Sequence, residues 1–385
     1  MLLLVIGLIL FVFLVVAHEY GHFLAAKLSG VRVEEFGVGF PPRLIGKKIG
    51  KGIWRGYYSL NLLPLGGFVK LKGEHDGDTS KGAFGSVSLR SKLKIIYAGV
   101  IVNLLVSIVM LTVVAWVGMP QLVDNQFKIA SDSKTVVDKL IVNYIEPQSP
   151  AEKAGLKSGD VIVSINNQNI KGSTKLRNIT KSSAGQTVNI NYVRNGQNNK
   201  VQVTLLSEKT VQASLKTNQP KAYLGISNSS YTVARSTWSA PVVAVGNVAQ
   251  LSWLTLKGLG GALANLGKSL ASAVTGHGQQ AKQEASAAGE NVSGPVGIYF
   301  ILRQGSVLGF EFILFVVAII SLTLALINAL PIPALDGGRA FVMLLFRAIK
   351  KPLPPKTEDI IHGTGFALLM LLFVVITIVD IKRFF

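Results

Sequence analysis

The chain of 385 residues contains no cysteine. This absence excludes disulfide bonds, thiol catalysis and metal sites with cysteine ligands, although it does not identify a compartment. Acidic residues are also scarce, since 20 Asp and Glu stand against 39 Lys and Arg and give a formal net charge of +19. The basic residues are spread along the chain and no nucleic-acid-binding motif accompanies them, so the charge does not indicate a nucleic-acid partner.

Long apolar runs dominate the composition, in which 49% of residues are hydrophobic and the mean hydropathy is +0.44. Four runs approach the roughly 20 residues that a helix needs to cross a bilayer: residues 1–17, 95–119, 309–330 and 360–379. We therefore expect four transmembrane helices. The first run could instead be a cleaved signal peptide, but no basic region precedes it.

The basic residues cluster in two of the segments that join these runs. Residues 31–94 contain twelve Lys and Arg against five acids, and five more basic residues separate the third run from the fourth: Arg339, Arg347, Lys350, Lys351 and Lys356. Because loops rich in Lys and Arg stay on the cytoplasmic side, both segments are predicted to be cytoplasmic. Both termini and the long insert between the second and third runs then lie outside the cytoplasm.

The first apolar run leads into His18-Glu19-Tyr20-Gly21-His22. Residues four apart lie on one face of a helix, so both imidazoles can bind a single zinc ion, and Glu19 then projects beside the metal, where a general base is needed. The pattern predicts the site of a zinc protease near one membrane face. The alternative is a helix end that is polar by chance.

The third run ends in Asn328-Ala-Leu-Pro-Ile-Pro-Ala-Leu-Asp336-Gly-Gly, in which two prolines stop regular helix. Two histidines leave a zinc ion short of a third protein ligand, which Asp336 can supply. Four spans put the ends of the first and third runs on the same side of the membrane, so the three side chains can meet. The alternative is that Asp336 only turns the chain at Asp-Gly-Gly.

Between the first two runs, residues 53–71 alternate partly between apolar and polar, and Pro64-Leu-Gly-Gly67 has the composition of a turn. This pattern predicts a hairpin, whose edge could pair with an extended peptide or which could simply rest at the membrane surface. Asn103 lies in the middle of the second run. A buried amide there is expected to bond a neighbouring helix or loop.

Residues 126–226 are polar and strand-rich, which predicts a soluble domain. The stretch from Tyr144 to Asn166 resembles the PDZ pattern, in which a short helix and a Gly-Asp turn precede a buried strand. PDZ domains bind chain ends by adding a strand to a sheet edge. The alternative is a domain that keeps the fold and acts only as a steric filter.

Residues 238–308 form an amphipathic and linker region. One helical face carries leucines spaced three and four apart, at Leu256, Leu259, Leu263, Leu266 and Leu270. The helix is expected either to lie on the outer membrane surface or to pack against the soluble domain. Residues 276–290 have the composition of a polar linker, and His277 within it is assigned no metal role.

Taken together, the His18–His22 motif, the Asn328-to-Gly337 stretch, the PDZ-like insert and the four spans resemble the bacterial site-2 proteases. The resemblance covers essentially the whole chain. It implies a polytopic α-helical membrane protein with four transmembrane helices, a membrane-associated β-hairpin and an inserted α+β PDZ-like domain. The implied segments are a first span (1–29), cytoplasmic loop (30–94), second span (95–119), PDZ-like domain (126–226), amphipathic and linker region (238–308), third span (309–338) and fourth span (360–385).

The same resemblance implies an intramembrane zinc metalloprotease of the bacterial cell membrane. It assigns His18, His22 and Asp336 as zinc ligands and Glu19 as the base. Its implied substrates are single-span membrane proteins such as anti-sigma factors, or remnant signal peptides. Val100 stands where family members often have proline, and this chain has one PDZ-like insert where some relatives have two.

Substrate handling is also implied only by the resemblance. Gly66, Gly67 and Phe68 resemble the membrane-associated β-loop of the family, and Asn328 matches a position implicated in handling substrate. Two other functions stay open from the residues. One is a membrane-anchored peptidase of the gluzincin type, and the other is a non-enzymatic membrane scaffold or a transporter.

Overall fold

A computed structural model of the protein describes residues 2–50, 52–194, 196–215, 220–275, 279–280, 283–284, 294–305 and 308–384. The predicted linker 276–290 lies outside these ranges except for residues 279–280 and 283–284, and His277 is outside them. The described helices are α1 (Leu2–Leu28), α2 (Leu89–Val117), α3 (Pro150–Lys153), α4 (Ser173–Ser182), α5 (Glu208–Ser214), α6 (Ala240–Val274), α7 (Pro295–Gly305), α8 (Phe310–Ala329), α9 (Asp336–Ala348) and α10 (Pro355–Phe384). The strands are β1 (Val33–Ile49), β2 (Gly56–Leu71), β3 (Met119–Pro120), β4 (Lys134–Ile145), β5 (Val161–Ile165), β6 (Gln168–Asn169), β7 (Thr187–Arg194), β8 (Gln197–Thr204) and β9 (Ile226–Arg235).

Within the described residues, four helices are long and apolar enough to cross a membrane. These are Val5–Leu28, Leu89–Val117, Phe310–Ala329 and Pro355–Lys382. The second and fourth begin about a turn or more before the apolar runs do, because polar residues at a helix end extend into the membrane interface.

The segment predicted as one span, 309–338, is two elements in the structure. Helix α8 ends at Ala329, and Asp336 begins the separate helix α9. Pro331 and Pro333 lie in the gap, where a missing backbone donor at each proline ends the regular helix. Asp336 therefore lies at the start of a new helix rather than in the third span.

The chain reverses near residues 64–67 as predicted, but the predicted hairpin pairing is wrong, because residues 35–38 lie between the two arms, residues 57–60 and 67–71. Residues 64–67 lie inside β2, and the connection between β1 and β2 is residues 50–55. Long-range pairing sets the order of the segments, because Gly67 and Val69 pair with Val38 and Phe36 on β1. Gly66, at φ +129°, lies in the part of β2 where the chain reverses its direction, a backbone conformation that favours glycine.

Strands β1 and β2 are bent, so their two halves make a sheet of four neighbouring segments. Residues 33–38 lie between residues 67–71 and residues 57–60, and residues 45–49 pair with residues 56–60. Among the described residues, no strand pairs with the outer side of residues 67–71. That segment is a sheet edge.

One compact unit comprises Val5–Met110, Val248–Phe300 and Val316–Phe385. Its apolar core joins α1, the β1–β2 sheet, α2 and α9 through the buried side chains of Phe23, Ala26, Val31, Val33, Leu71, Phe84, Ile95, Ile96, Ala340 and Met343. Burial of these side chains fixes the sheet edge and the start of α9 relative to the end of α1.

A second unit comprises chiefly Leu111–Asn247 and Ile301–Phe315. Its sheet has the strand order β3-β9-β4-β5-β7-β8, with β6 paired to β5. The core contains Leu140, Ile162, Ile165, Val188 and Ile190, all nearly inaccessible to solvent. The domain extends beyond the predicted limit at residue 226, because β9 continues to Arg235 beside β4.

Helix α6 is continuous over 35 residues. It contains the predicted amphipathic stripe of leucines. Its start is fixed by Asp132, whose carboxylate accepts hydrogen bonds from the backbone N–H groups of Thr237 (2.7 Å) and Ser239 (3.1 Å) and from the Ser239 hydroxyl (2.6 Å).

Candidate active site

Three side chains from opposite ends of the sequence converge on one point. His18 and His22, one turn apart on α1, direct their Nε2 atoms at Oδ2 of Asp336, at 3.1 and 3.3 Å, and the two Nε2 atoms are 3.1 Å apart. Among the described residues, these three form the one group of His, Asp or Glu side chains close enough to share a metal ion.

The three converging atoms fit a tetrahedral zinc ion. Bonds of about 2.0–2.1 Å to nitrogen and oxygen would separate the ligand atoms by about 3.3 Å, close to the separations observed. Each atom also presents a lone pair, provided that each histidine carries its proton on Nδ1. Three lone pairs at this distance repel one another unless a cation lies between them.

Hydrogen bonds fix the outer side of each imidazole. Nδ1 of His22 lies 2.8 Å from the carbonyl oxygen of Ile95, so this nitrogen carries the proton and donates it. Nδ1 of His18 lies 3.3 Å from the amide group of Asn103, which is 1% exposed. The amide atom at this distance is Nδ2, so a protonated Nδ1 requires the Asn103 amide to be turned over, which exchanges the two amide atoms and brings Oδ1 into the acceptor position. The predicted partner of Asn103 is therefore His18.

Helices α1 and α2 approach closely at the histidines because glycines face each other. A Cβ on Gly99 would lie 2.5 Å from Nε2 of His22 and 2.7 Å from Cε1 of His18. A Cβ on Gly21 would lie 2.6 Å from the Ala98 carbonyl oxygen. Any larger side chain at Gly99 would enter the space between the imidazoles.

The first turn of α9 holds Asp336 in place through two more glycines. Gly337 packs directly on the carbonyl oxygen of Ala329, and Gly338 packs on that of Ile332, with no room for a Cβ at either position. Burial acts to raise the pKa of Asp336, but the adjacent imidazoles of His18 and His22 outweigh it and hold that pKa below its usual range. The carboxylate is thus ionised and ready to bind a cation.

Glu19 lies beside the edge of the β1–β2 sheet. The backbone N–H of Val69 is hydrogen-bonded to its carboxylate, and a Cβ on Gly67 would lie 3.0 Å from its Cγ. Of the three loop residues predicted to handle substrate, the structure brings Gly67 to Glu19. The ring of Phe68 instead covers Gly37 on the neighbouring strand, and Gly66 lies one residue before the contact.

Asn328 lies in the last turn of α8 and is half-buried. In the part of the chain that the structure describes, its side chain makes no hydrogen bond to the three converging side chains. Its predicted role in handling substrate is not explained by a contact within the protein.

Comparison with known proteins matches residues 6–372 to peptidase family M50. The chain belongs to this family. A relative from Clostridium acetobutylicum, named as a zinc metalloprotease, is 32% identical over 98% of this chain and 96% of its own length. The zinc metalloproteases RasP of Shouchella clausii and Geobacillus kaustophilus are 27% and 26% identical, over 98% and 97% of this chain and 98% and 96% of their own lengths.

The family settles three of the expectations from the sequence. The resemblance to site-2 proteases is confirmed, the protein is a metalloprotease, and zinc is its cofactor. Four spans and bacterial relatives make this M50 protease a bacterial membrane protein. Zinc supplies a Lewis acid that polarises water and carbonyl groups.

A polar cavity of about 480 Å³ reaches the candidate active site of the M50 protease from one side. Its lining includes Asp336, Arg339 and Glu358, together with His75 and His362. His362 Nδ1 accepts the backbone N–H of Ala334 at 3.2 Å, and Ala334 has φ +77°. Water can therefore reach Asp336 along a polar route, as hydrolysis requires.

Sequence reasoning about this M50 protease missed Gly99, Ile95 and His362. Gly99 and Asn103 are four residues apart and therefore lie on one face of α2, the spacing that could have indicated a close helix contact. No local signal could have indicated Ile95, because its carbonyl oxygen contacts His22 only through tertiary packing.

Proposed function

We propose that this M50 protease cleaves peptide bonds within the transmembrane segments of single-span proteins. The observation that carries the proposal is the position of the converging group. His18 and His22 lie inside a helix long and apolar enough to cross the membrane, about three and about two turns from its end at Leu28. A substrate has to meet the site at the depth of the lipid.

In the proposed mechanism, His18, His22 and Asp336 hold the zinc ion. Glu19 accepts a proton from the attacking water as the new C–O bond forms at the scissile carbonyl. Glu19 then gives the proton to the leaving nitrogen as the C–N bond breaks, so the products are a carboxylic acid and an amine, which become a carboxylate and an ammonium when the acid proton passes to the amine. The Val69 N–H orients the Glu19 carboxylate between these two steps.

The sheet edge at residues 67–71 is proposed to hold the substrate. A transmembrane helix hides its carbonyl groups in hydrogen bonds, so the target must unwind near the cleavage site. An unwound segment that pairs with this edge regains backbone hydrogen bonds and passes directly beside Glu19. Asn328 is proposed to contact the substrate, since the described protein leaves its amide available there.

The orientation follows from charge. Basic residues concentrate in residues 31–94 and in residues 339–356, which supports a cytoplasmic location of both segments. The active site is then near the cytoplasmic side, and both termini and the soluble domain are extracytoplasmic.

We propose that the soluble domain is PDZ-like and restricts which substrates enter. Before Thr232, strand β9 has β4 on one side and α4 near the other, with Ser173 of α4 bonded to Asn228 at 2.5 Å. This edge could bind an extended chain end or the ectodomain of a substrate. A bulky ectodomain would also be hindered by the mass of the domain alone.

A deletion tests the filter. The Ser236 N–H donates to the Ala115 carbonyl oxygen at 2.8 Å, so the two ends of the insert are adjacent. Replacing residues 121–235 with a short Gly-Ser linker should extend cleavage to substrates with large outer domains. An unchanged substrate range would contradict the filter. Proline at Ser230, whose N–H points to the free edge of β9, should remove strand addition while the domain stays in place, and so separates peptide binding from steric exclusion.

The main experiment compares the wild type with Glu19→Gln on single-span test substrates, including anti-sigma factors and remnant signal peptides, in detergent and in membranes. The variant should keep zinc and lose cleavage, whereas the exposed Glu34→Gln control should keep both. Turnover by the Glu19 variant would remove Glu19 from the mechanism. Cleavage of soluble unfolded chains in preference to membrane segments would indicate a gluzincin-type peptidase.

A further inference from the structure

The first turns of the last span contact the segment that carries Asp336. Helix α10 is the least buried of the four candidate spans in the described chain, and side chains such as Ile360 and Phe366 are exposed. Glu358, His362 and Gly365 are different. They are spaced four and three apart, so they lie on one face of α10, and each of them contacts the protein around Asp336.

His362 is bonded to the loop between α8 and α9. Its Nδ1 atom accepts the backbone N–H of Ala334 at 3.2 Å, so the ring proton is on Nε2. Within the described residues, Nε2 makes no hydrogen bond. The contact with Ala334 is therefore the one hydrogen bond of this side chain in that part of the protein.

Gly365 packs against the residue that precedes Ala334. A Cβ at Gly365 would lie 2.5 Å from Cβ of Pro333 and 2.6 Å from its carbonyl oxygen. The proline therefore lies on the bare backbone of α10. Two consecutive loop residues are thus held by one face of the last span, and only Leu335 separates them from Asp336.

The loop has little support of its own. Pro331 and Pro333 have no backbone N–H to donate, and Ala334 has φ +77°, a backbone conformation that residues with a Cβ rarely adopt. The side chain of Leu335 forms no capping hydrogen bond at the start of α9. A carboxylate on the first residue of a helix is then held in place mainly by contacts from outside the segment.

Glu358 holds the same face of α10 on the other side of Asp336. Its Oε2 atom accepts the backbone N–H of Asp76 at 3.3 Å and lies 3.5 Å from Nδ1 of His75. Its Oε1 atom is 4.0 Å from Nε of Arg339, which lies one turn after Asp336 on α9. Helix α10 therefore contacts the chain both before and after the carboxylate.

We infer that His362 is a positioning residue for Asp336, and that the contact of Gly365 with Pro333 serves the same purpose. The inference rests on the proposed binding of zinc by Asp336. Because Ala334 is two residues from the carboxylate, a shift of the loop moves Oδ2 away from Nε2 of His18 and His22, which lie 3.1 and 3.3 Å from it. The last span thereby sets the geometry of a metal site whose ligands come from α1 and α9.

Two substitutions of similar shape test the hydrogen bond. Leu and Asn both branch at Cγ and both remove the imidazole ring, but only Asn keeps an acceptor where His362 has Nδ1. His362→Leu should lower zinc affinity by about ten-fold, because it leaves the Ala334 N–H without its partner. His362→Asn should stay within about three-fold of the wild type. Competition of the purified full-length protein with a chelator measures both affinities.

A pair of glycines on the same helix tests the packing. Gly365→Ala should also lower zinc affinity, by about ten-fold, because the new methyl group pushes Pro333 away. Gly363→Ala is the matched control, since a Cβ there would meet nothing within 4 Å, and it should bind zinc like the wild type.

Hydrogen exchange of residues 330–338 in the zinc-free protein gives a readout that depends on neither metal nor activity. Exchange should be faster in His362→Leu and Gly365→Ala, and unchanged in His362→Asn and Gly363→Ala. Unchanged exchange in His362→Leu would overturn the inference, as would equal zinc affinities in the Leu and Asn variants.

Asp336→Ala separates this inference from the proposed function. Its zinc affinity should fall below that of every variant above. If Asp336→Ala loses zinc while His362→Leu and Gly365→Ala bind it like the wild type, the ligand set stands and the positioning role is overturned. Zinc affinity of the wild-type level in Asp336→Ala would instead overturn the ligand set of the proposed function, and the inference with it.

Discussion

Gly99 on α2 lies directly against the imidazole of His22 on α1. A Cβ there would come within 2.5 Å of Nε2, the atom directed at Asp336. The absence of a side chain at Gly99 therefore leaves room for the proposed zinc ion as well as for the helix contact.

Gly99→Ala should weaken zinc binding by at least about ten-fold, because the methyl group displaces the imidazoles from one another. Zinc content after purification and competition with a chelator measure the effect. Gly363→Ala is the matched control, since Gly363 lies in another long apolar helix and its Cβ would meet nothing within 4 Å. Equal zinc affinity in the two variants would show that Gly99 only permits helix packing.

Asn103 should act on zinc through the orientation of His18. Asn103→Leu removes the acceptor of the Nδ1 proton, and loss of such a partner typically lowers metal affinity by about 10- to 100-fold. Asn103→Asp keeps an acceptor and should restore most of the affinity. Zinc titration of both variants distinguishes this role from packing, because a packing defect would not be repaired by aspartate in preference to leucine.

Gly67→Ala should impair catalysis while zinc stays bound. The new methyl group would lie 3.0 Å from Cγ of Glu19 and push the carboxylate away from the site. A displacement of about 1 Å can lower the rate by about 100-fold. Gly56→Ala is the control in the same strand, where the nearest atom would be at 3.5 Å. Reduced zinc content in Gly67→Ala would place the defect in folding instead.

The local spacing of His18 and His22 predicts their shared direction, because helical geometry alone puts residues four apart on one face. The parity of four spans then predicts that Asp336 can reach them, and the structure brings all three together. Their role as zinc ligands stays a prediction for the chemical tests above.

Features that depend on tertiary packing could not be predicted in this way. Turn composition at residues 64–67 predicts the reversal of the chain, but it could not predict that Gly67 pairs with Val38, 29 positions away, so that residues 35–38 separate the two arms. The contacts of His18 with Asn103 and of His22 with Ile95 join elements more than 70 residues apart. No local pattern encodes such partners.

The hydrogen bonds to Asp132 predict a pH dependence for the start of α6. Bonds from the Ser239 and Thr237 side chains lower the pKa of Asp132 from 3.8 to about 2, so the folded state favours the ionised form. The stabilisation is therefore complete above about pH 4, declines as the pH falls towards 2, and is absent below it.

Hydrogen exchange of residues 237–245, corrected for the intrinsic rate, should show this loss of stabilisation at low pH. Asp132→Asn should reduce protection at pH 7 by about two- to five-fold and remove the decline between pH 4 and 2, whereas the exposed Asp124→Asn should keep the wild-type profile. A decline of the same size in Asp132→Asn would assign the pH dependence to another carboxylate.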